Sequence, residues 1–249
     1  MSGIVTEKEY EIQYYEIDYE GRLLMTNLIQ YLGDIATKQS EDLGVGMEYL
    51  RKQGVAWVLY KWKIHLNKYP LYGDKIKIST KAHSFKKFYA YRTFEIMDAN
   101  NNVIGCANSV WFLIDINKRK AIRIKENMYS AYGIDENKND GLNIEKIIAP
   151  NSISVQKSFQ VRYSDIDTNR HVNNVKYLEW AIETIPFEIF TNYILKDINI
   201  IYEKETTYGE TITVLTEIKK EEHSNIFTHK VMDKEDTQLA LLQTTWEKE

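Results

Sequence analysis

The chain carries a long internal repeat, and this feature constrains its fold more than any other. Matching residues recur in the same order in both halves: Ile17-Asp18 with Ile166-Asp167, Tyr31-Leu32 with Tyr177-Leu178, Tyr72-Gly73-Asp74 with Tyr208-Gly209-Glu210, Asp98 with Asp233, and Trp111 with Trp246. The spacing between partners shortens along the chain, as loop deletions in the second copy would produce. Solenoid repeats are only about 20–50 residues long, so this pattern indicates duplication of a whole domain.

The length of the chain suits two domains of ordinary size. It has 249 residues, and domains commonly have about 100–150. The polar stretch NKNDGLN at 137–143 is a candidate boundary, so we predict domains at 1–138 and 139–249. No Pro- or Gly-rich linker separates the copies, and we therefore expect the two domains to pack together.

Both copies show the same order of predicted elements: a strand, an amphipathic helix and several long strands. The opening strands are predicted at 10–17 and 153–163, and the later strands at 75–81, 88–97, 103–114, 211–218, 226–232 and 238–246. Apolar residues recur at helical spacing at Leu28, Ile29, Leu32, Ile35 and Ala36, and again at Val175, Leu178, Ile182 and Ile185. A helix followed by an antiparallel meander is an α+β pattern.

The ends of the two helices are marked by polar residues and proline. Thr26 is the candidate N-cap of the first helix. Either Asn173 or Asn174 can cap the second, and Pro186 marks its expected end.

Composition and local sequence exclude several classes of protein. The chain has one cysteine, so no internal disulfide can form, and it begins without the basic and apolar regions of a signal peptide. Its apolar runs are too short to cross a bilayer, and we expect a cytoplasmic protein. A formal net charge of -4 at pH 7 argues against nucleic-acid binding.

The densest cluster of polar side chains lies between a predicted strand and the second helix. It reads DIDTNRHVNN over 165–174. A turn in which Asp and Asn only cap backbone groups is one interpretation. A second interpretation is that the segment is catalytic. The helix that begins after His171 has free N–H groups, and these would stabilise negative charge developing on a carbonyl oxygen.

Metal and nucleotide sites do not fit the sequence. Asp165, Asp167 and Asn169 match the first ligand positions of a calcium loop. Arg170 stands where that loop needs glycine, and Lys176 where it needs glutamate. No pair at zinc-ligand spacing occurs among the five histidines, His65, His83, His171, His223 and His229. Because no Walker A or complete dinucleotide motif occurs either, we predict neither metal nor cofactor.

The segment DIDTNRHVNNVKYLEW resembles the catalytic segment of plant and bacterial acyl-acyl carrier protein (acyl-ACP) thioesterases. Further similar segments in the first copy are Tyr69-Pro70, Tyr72-Gly73-Asp74, Tyr91-Arg92-Thr93-Phe94, Asn108-Ser109-Val110-Trp111 and Lys118-Arg119. The resemblance implies two tandem hot-dog domains that form an internal pseudo-dimer, each a long helix wrapped by an antiparallel sheet. It also implies hydrolysis of fatty acyl-ACP to free fatty acid and ACP.

The same resemblance implies four catalytic residues. Asp167, Asn169 and His171 take the places of the family's Asp-x-Asn-x-His motif. Glu205 takes the carboxylate position of a Tyr-x-x-Glu motif that the family has in the next strand.

The first copy lacks these groups. In the alignment of the two copies, Glu20 falls opposite Asn169, Arg22 opposite His171, and Tyr69 opposite Glu205. We therefore expect one active site per chain, in the second domain, and the resemblance gives the first domain the task of shaping the acyl pocket.

The residues leave two assignments of the general base open. In the first, Glu205 activates a water that Asn169 helps to hold, while His171 orients the reacting groups or protonates the leaving thiolate. In the second, His171 is the base and Asp167 sets its tautomer. Histidine and glutamate can both be tuned towards neutral pH. In both assignments we expect the N–H groups of 172–174 to polarise the carbonyl.

The implied partner is ACP, an acidic protein that carries the acyl chain on a phosphopantetheine arm. Basic clusters at Lys86-Lys87 and at Lys118-Arg119-Lys120 with Arg123 could dock it through charge complementarity. The alternatives are an acyl-CoA thioesterase on the same scaffold and a non-catalytic acyl-binding protein. A hot-dog dehydratase fits less well, since it places its histidine and carboxylate differently. A monomer and a homodimer are both compatible with a duplicated domain.

Overall fold

A computed structural model describes residues 3–137 and 140–248, which form two compact units. The first unit lies within Met1–Tyr60 and Leu66–Ile144, and the second within Lys61–His65 and Glu145–Glu249. The domain boundary predicted between 138 and 139 lies outside the described residues.

The first unit combines an antiparallel sheet with helices. Its elements are β1 (Val5–Glu11), α1 (Met25–Asp42), α2 (Met47–Gln53), β2 (Val55–Leu66), β3 (Lys75–Lys86), β4 (Tyr89–Met97), β5 (Val103–Asp115), β6 (Lys120–Ala121) and α3 (Glu126–Tyr132). The strands follow the order β1-β3-β4-β5-β2, with β6 beside β5. Helix α1 contacts β1 and β3, so its apolar face is buried against the sheet.

The second unit repeats this plan. Its elements are β7 (Val155–Gln160), α4 (Asn174–Ile182), α5 (Phe187–Asn192), β8 (Tyr193–Tyr202), β9 (Thr211–Lys220), β10 (Ser224–Met232) and β11 (Gln238–Lys248). The antiparallel order is β8-β11-β10-β9-β7, and residues 61–65 of β2 pair with β8. Helix α4 contacts β9, β10 and β11. The α+β prediction is thus confirmed in each unit.

Most predicted elements are confirmed. Strands β3, β4, β5, β9, β10 and β11 overlap the six later predicted ranges. Strand β3 runs five residues beyond its predicted end, and the other five differ by one or two residues. The five apolar residues predicted for the face of α1 are all buried, as are Val175 and Leu178 of α4. Periodicity was sufficient here because each element buries one continuous face.

Both opening strands were predicted to end too late. The first was also predicted to start too late, since β1 is Val5–Glu11 and not 10–17, whereas β7 is Val155–Gln160 within the predicted 153–163. Strand β1 ends at Glu11 and β7 at Gln160, and each is followed by a short 3-10 turn. A carboxylate three residues ahead ends the strand locally: the Gln13 N–H donates to Glu16 Oε2 at 2.8 Å, and the Arg162 N–H donates to Asp165 Oδ2 at 2.8 Å. These side chains satisfy backbone donors that a longer strand would have paired in the sheet.

Two helix boundaries were also wrong. Thr26 is not an N-cap, because α1 begins one residue earlier at Met25 and Thr26 is buried within it. Helix α4 ends at Ile182 and not at Pro186, which instead precedes α5. The Asn173 cap is confirmed, since its side chain accepts a hydrogen bond from the Val175 N–H. No helix of the described residues is long and apolar enough to span a membrane.

His229 lies fully buried in the second unit among threonine hydroxyl groups. Its Nδ1 lies 2.9 Å from Thr216 Oγ1 and 3.2 Å from Thr184 Oγ1, and its Nε2 lies 3.5 Å from Thr244 Oγ1. Burial lowers the pKa of His229 to about 3, because a protonated imidazole would lose its hydration there.

We expect this histidine to make the folded protein less stable as the pH falls below 6.5. Between an ordinary histidine pKa of about 6.5 and the folded-state pKa of about 3, the unfolded chain binds a proton at His229 that the folded chain does not. The linkage lowers the free energy of unfolding by up to about 1.4 kcal/mol per pH unit. Urea unfolding at pH 7 and pH 4.5 measures the effect.

The control for this measurement is His229→Gln, because a glutamine side chain does not titrate. The wild type should lose about 2 kcal/mol more than this variant over that interval. His223→Gln, a change at an exposed histidine, should behave as the wild type does. Equal losses in the wild type and His229→Gln would contradict the prediction.

Candidate active site

The polar segment of the second unit forms a tight turn between β7 and α4. Ile166 bridges to Val172, and the Asp167 N–H donates to the His171 carbonyl at 2.8 Å. The Asp167 carboxylate accepts from the N–H groups of Asn169 at 2.8 Å and His171 at 3.3 Å. The carboxylate therefore fixes the backbone from which the amide and imidazole side chains project.

The segment that follows β8 is tied to this turn. The Val172 N–H donates to the Thr206 carbonyl at 2.9 Å, and Thr207 Oγ1 donates to the Arg170 carbonyl at 3.1 Å. These two bonds bring Glu205 to the turn. Its Oε1 lies 3.3 Å from His171 Nε2, so the structure brings together an imidazole and a carboxylate that are far apart in the sequence.

Glu205 was predicted to lie in a strand, and this prediction is wrong. Strand β8 ends at Tyr202, and the N–H groups of Glu203 and Lys204 both donate to the Leu239 carbonyl. This shared acceptor ends the regular pairing, so strand alternation no longer sets side-chain direction. Glu203 accepts a hydrogen bond from Gln238 Nε2 at 2.7 Å and is held separately from Glu205.

The N–H groups of residues 172–174 were expected to polarise the carbonyl, but two of the three already donate hydrogen bonds within the protein. The Val172 N–H is bonded to Thr206, and the Asn173 N–H donates to the Asp165 carbonyl at 2.8 Å. The prediction that both polarise a carbonyl is therefore wrong. Among the described residues the Asn174 N–H meets no acceptor. It remains the candidate donor at this end of α4.

An open cleft of about 570 Å³ covers these groups. It is lined by Asn169, Arg170, His171, Glu205, Thr206, Thr207, Glu210, Asp233, Lys234 and Glu235. The side chains of His171 and Glu205 are 34% and 46% exposed. Solvent water thus reaches both groups, which a hydrolytic site requires.

Two buried tyrosines brace the site and were not predicted to do so. The Tyr202 hydroxyl donates to the Asn174 carbonyl at 3.0 Å, and the Tyr177 hydroxyl donates to the Lys204 carbonyl at 3.5 Å. Burial raises the pKa of Tyr177, and the nearby Glu205 carboxylate raises it further. The hydroxyl therefore stays protonated and remains a donor. Tyr177 matches Tyr31 in the internal repeat, and this match marked the position in the sequence. The repeat did not reveal the contact of Tyr177 with Lys204.

The first unit contains the same turn without the reactive groups. Asp18 accepts from the N–H groups of Glu20 and Arg22, both at 2.9 Å, and the Leu23 N–H donates to the Pro70 carbonyl at 2.9 Å. These bonds match those of the second unit one for one. They confirm the predicted correspondence of Glu20 with Asn169 and of Arg22 with His171.

Comparison with known proteins identifies the relatives of this chain. The model of the acyl-ACP thioesterase N-terminal domain matches residues 3–132, and that of the acyl-ACP thioesterase C-terminal domain matches residues 148–248. The chain belongs to the acyl-ACP thioesterase family. The predicted hot-dog fold is confirmed by the similarity of the whole chain to solved structures of this family, and the two family models match the two halves in tandem.

Three proteins illustrate the similarity. A protein from Lactobacillus plantarum, provisionally described as an oleoyl thioesterase, is 26% identical, with a TM-score of 0.89 over 99% of this chain and 97% of its own. An acyl-ACP thioesterase from Bacteroides thetaiotaomicron is 24% identical, with a TM-score of 0.83 over 98% of each chain. A chloroplastic acyl-[acyl-carrier-protein] hydrolase from Cuphea viscosissima is 24% identical over 98% of this chain and 63% of its own length. The chain thus spans less than two thirds of that plant relative.

Proposed function

We propose that the chain hydrolyses fatty acyl-ACP thioesters and releases free fatty acid and ACP. The observation that carries this proposal is the pairing of His171 Nε2 with Glu205 Oε1 at 3.3 Å, in an open cleft at the start of α4. Membership of the acyl-ACP thioesterase family supports the same reaction. A non-catalytic acyl-binding protein would not need a carboxylate and an imidazole in contact at a solvent-reached surface.

Glu205 is the proposed general base. A carboxylate beside water can accept its proton as the water attacks the thioester carbonyl, and the Asn169 amide can hold that water. His171, beside this carboxylate, takes the proton from Glu205 and passes it to the thiolate as the carbon–sulfur bond breaks, so both side chains return to their starting protonation states. General acid and base assistance of this kind is worth about 10²–10⁴-fold in rate.

The alternative assignment, with Asp167 setting the tautomer of His171, has less support. The Asp167 Oδ1 atom already accepts from two backbone N–H groups. The group found beside the imidazole is Glu205, not Asp167. Asp167 is therefore proposed as a positioning residue that holds the turn.

Thiol release tests the proposal directly. Purified protein is incubated with a panel of acyl-ACPs that differ in chain length, and with the matching acyl-CoAs. Rapid release from acyl-ACP is expected. A preference for acyl-CoA would retain the chemistry and change the carrier, and no release from either by folded protein would overturn the proposal.

A basic patch in the first unit is the proposed docking site for ACP. We define it as Lys86 and Lys87 at the turn from β3 to β4, together with Arg119 at the turn from β5 to β6. Lys87 and Arg119 both have positive φ, at 55° and 51°. The Lys87 carbonyl accepts from the Ile124 N–H at 2.9 Å, which anchors the first of these turns. Exposed cations held on fixed turns are suited to an acidic partner.

Charge reversal in this patch should weaken ACP binding without altering the chemistry. We expect Lys87→Glu combined with Arg119→Glu to raise KM for acyl-ACP about tenfold at low ionic strength, because steering by exposed charges is screened by salt. KM for an acyl-pantetheine, which lacks the protein, should not change. Lys220→Glu, at an exposed lysine of β9, is the control. An unchanged KM for acyl-ACP in the double variant would remove the patch from the proposal.

A further inference from the structure

Arg170 has an unusual backbone conformation at the edge of the cleft. Its φ is 66°, in the left-handed region that residues other than glycine seldom adopt. The conformation is fixed on both sides, because the Arg170 N–H donates to the Asp167 carbonyl at 3.0 Å and its own carbonyl accepts from Thr207 Oγ1 at 3.1 Å.

The first unit shows that this turn does not need an arginine. The corresponding residue is Gly21, with a φ of 79°, and a Cβ atom added there would meet no other atom within 4 Å. Glycine adopts this conformation without steric cost. Retaining a long side chain where glycine would be easier points to a task for that side chain.

The surroundings of Arg170 indicate what the task is. The residue is exposed and lines the cleft together with His171 and Glu205. Its guanidinium forms no hydrogen bond or ion pair within the part of the chain that the structure describes. The other cation of the cleft, Lys234, is paired with Glu210 at 3.1 Å. Arg170 is therefore the cation of this cleft that is open to an anionic ligand.

We propose that Arg170 binds the phosphate of the phosphopantetheine arm that carries the acyl chain. This inference rests on the proposed thioesterase function and names one contact of its substrate. A planar guanidinium pairs with phosphate through two parallel hydrogen bonds. The cleft also carries the carboxylates of Glu205, Glu210, Asp233 and Glu235, of which Glu210 is paired with Lys234. They would repel an anion unless a cation fixed its position. Acyl-ACP and acyl-CoA both present this phosphate.

The test compares three substrates with the same acyl chain: acyl-ACP, acyl-phosphopantetheine and acyl-pantetheine, which has no phosphate. We expect Arg170→Gly to raise KM for the first two about tenfold, the loss of one charge-assisted contact, with kcat within about twofold of the wild type. KM for acyl-pantetheine should not change. Arg170→Lys, which keeps the charge, should recover part of the loss. Acyl-CoA serves as a further substrate, and the carrier that the wild type prefers identifies the source of the phosphate.

Stability separates a binding role from a structural one. The Tm of Arg170→Gly should equal or exceed that of the wild type, since glycine suits the backbone at this position. Asn101→Gly, at another residue with positive φ in the first unit, should leave every KM unchanged. If Arg170→Gly lowers Tm and leaves every KM unchanged, Arg170 has a structural role only. If it raises KM for acyl-pantetheine as much as for the two substrates with a phosphate, Arg170 contacts the arm but not its phosphate. Either result overturns the proposal.

The proposed function can fail separately. If the wild type hydrolyses none of these substrates, calorimetric titration with phosphopantetheine still reports on Arg170. Binding by the wild type that is weakened about tenfold in Arg170→Gly would support the phosphate contact without catalysis, and equal binding by the two proteins would reject it.

Discussion

Glu205→Gln is expected to lower kcat for acyl-ACP hydrolysis by about two to four orders of magnitude. The amide keeps the size and the hydrogen-bonding oxygen of the carboxylate but cannot accept a proton from water. His171→Ala should cause a loss of similar size, because the imidazole lies 3.3 Å from the same carboxylate. Both are measured as thiol release under saturating substrate, with KM determined separately.

Glu203→Gln is the matched control for this experiment. It makes the same chemical change two residues earlier, at an exposed side chain held by Gln238. Its kcat should stay within about twofold of the wild type. The double variant of Glu205 and His171 should be no worse than the more damaged single variant, because residues that act as a unit are not additive. Full activity in Glu205→Gln would reject Glu205 as the base.

The fold was largely predictable from local pattern. Strand alternation and helical periodicity each report a face buried against one layer. Strands β3, β4, β5, β9, β10 and β11 were found this way, whereas β2 and β8 were not predicted. The ends of the opening strands were predicted too late because Glu16 and Asp165 supply side-chain oxygens to the backbone. Such a contact between side chain and backbone interrupts a strand without interrupting its apolar pattern.

The sequence supplied candidate residues for the site but not their geometry. Resemblance to a family supplied the residue numbers of His171 and Glu205, and the structure places these two side chains in contact. The use of the Val172 N–H by Thr206 depends on a segment that is distant in the sequence. No local pattern encodes that bond, so the oxyanion donors could not be assigned from the helix start alone. Arg170 was missed for a related reason, since its positive φ is visible only in the folded turn.

Asp167→Ala should lower kcat about tenfold to a hundredfold, because it frees the backbone that positions His171. Misplacement of a catalytic group by about 1 Å can cost about 10²-fold. Asp167→Asn should retain kcat within several-fold, since an amide oxygen can accept from the same two N–H groups. If Asp167 instead set the tautomer of His171, the asparagine variant would be as damaged as the alanine variant.

The internal repeat supplies the control for this prediction. Asp18 accepts from the N–H groups of Glu20 and Arg22 in the equivalent turn, so Asp18→Ala removes the same backbone contacts where no reactive pair is present. Both alanine variants should lower Tm, and only Asp167→Ala should lower kcat. A fall of kcat in both would mean that the loss follows general destabilisation. A fall of kcat in Asp167→Ala alone would show that this turn, which both units share, supports catalysis only in the unit where it carries the reactive groups.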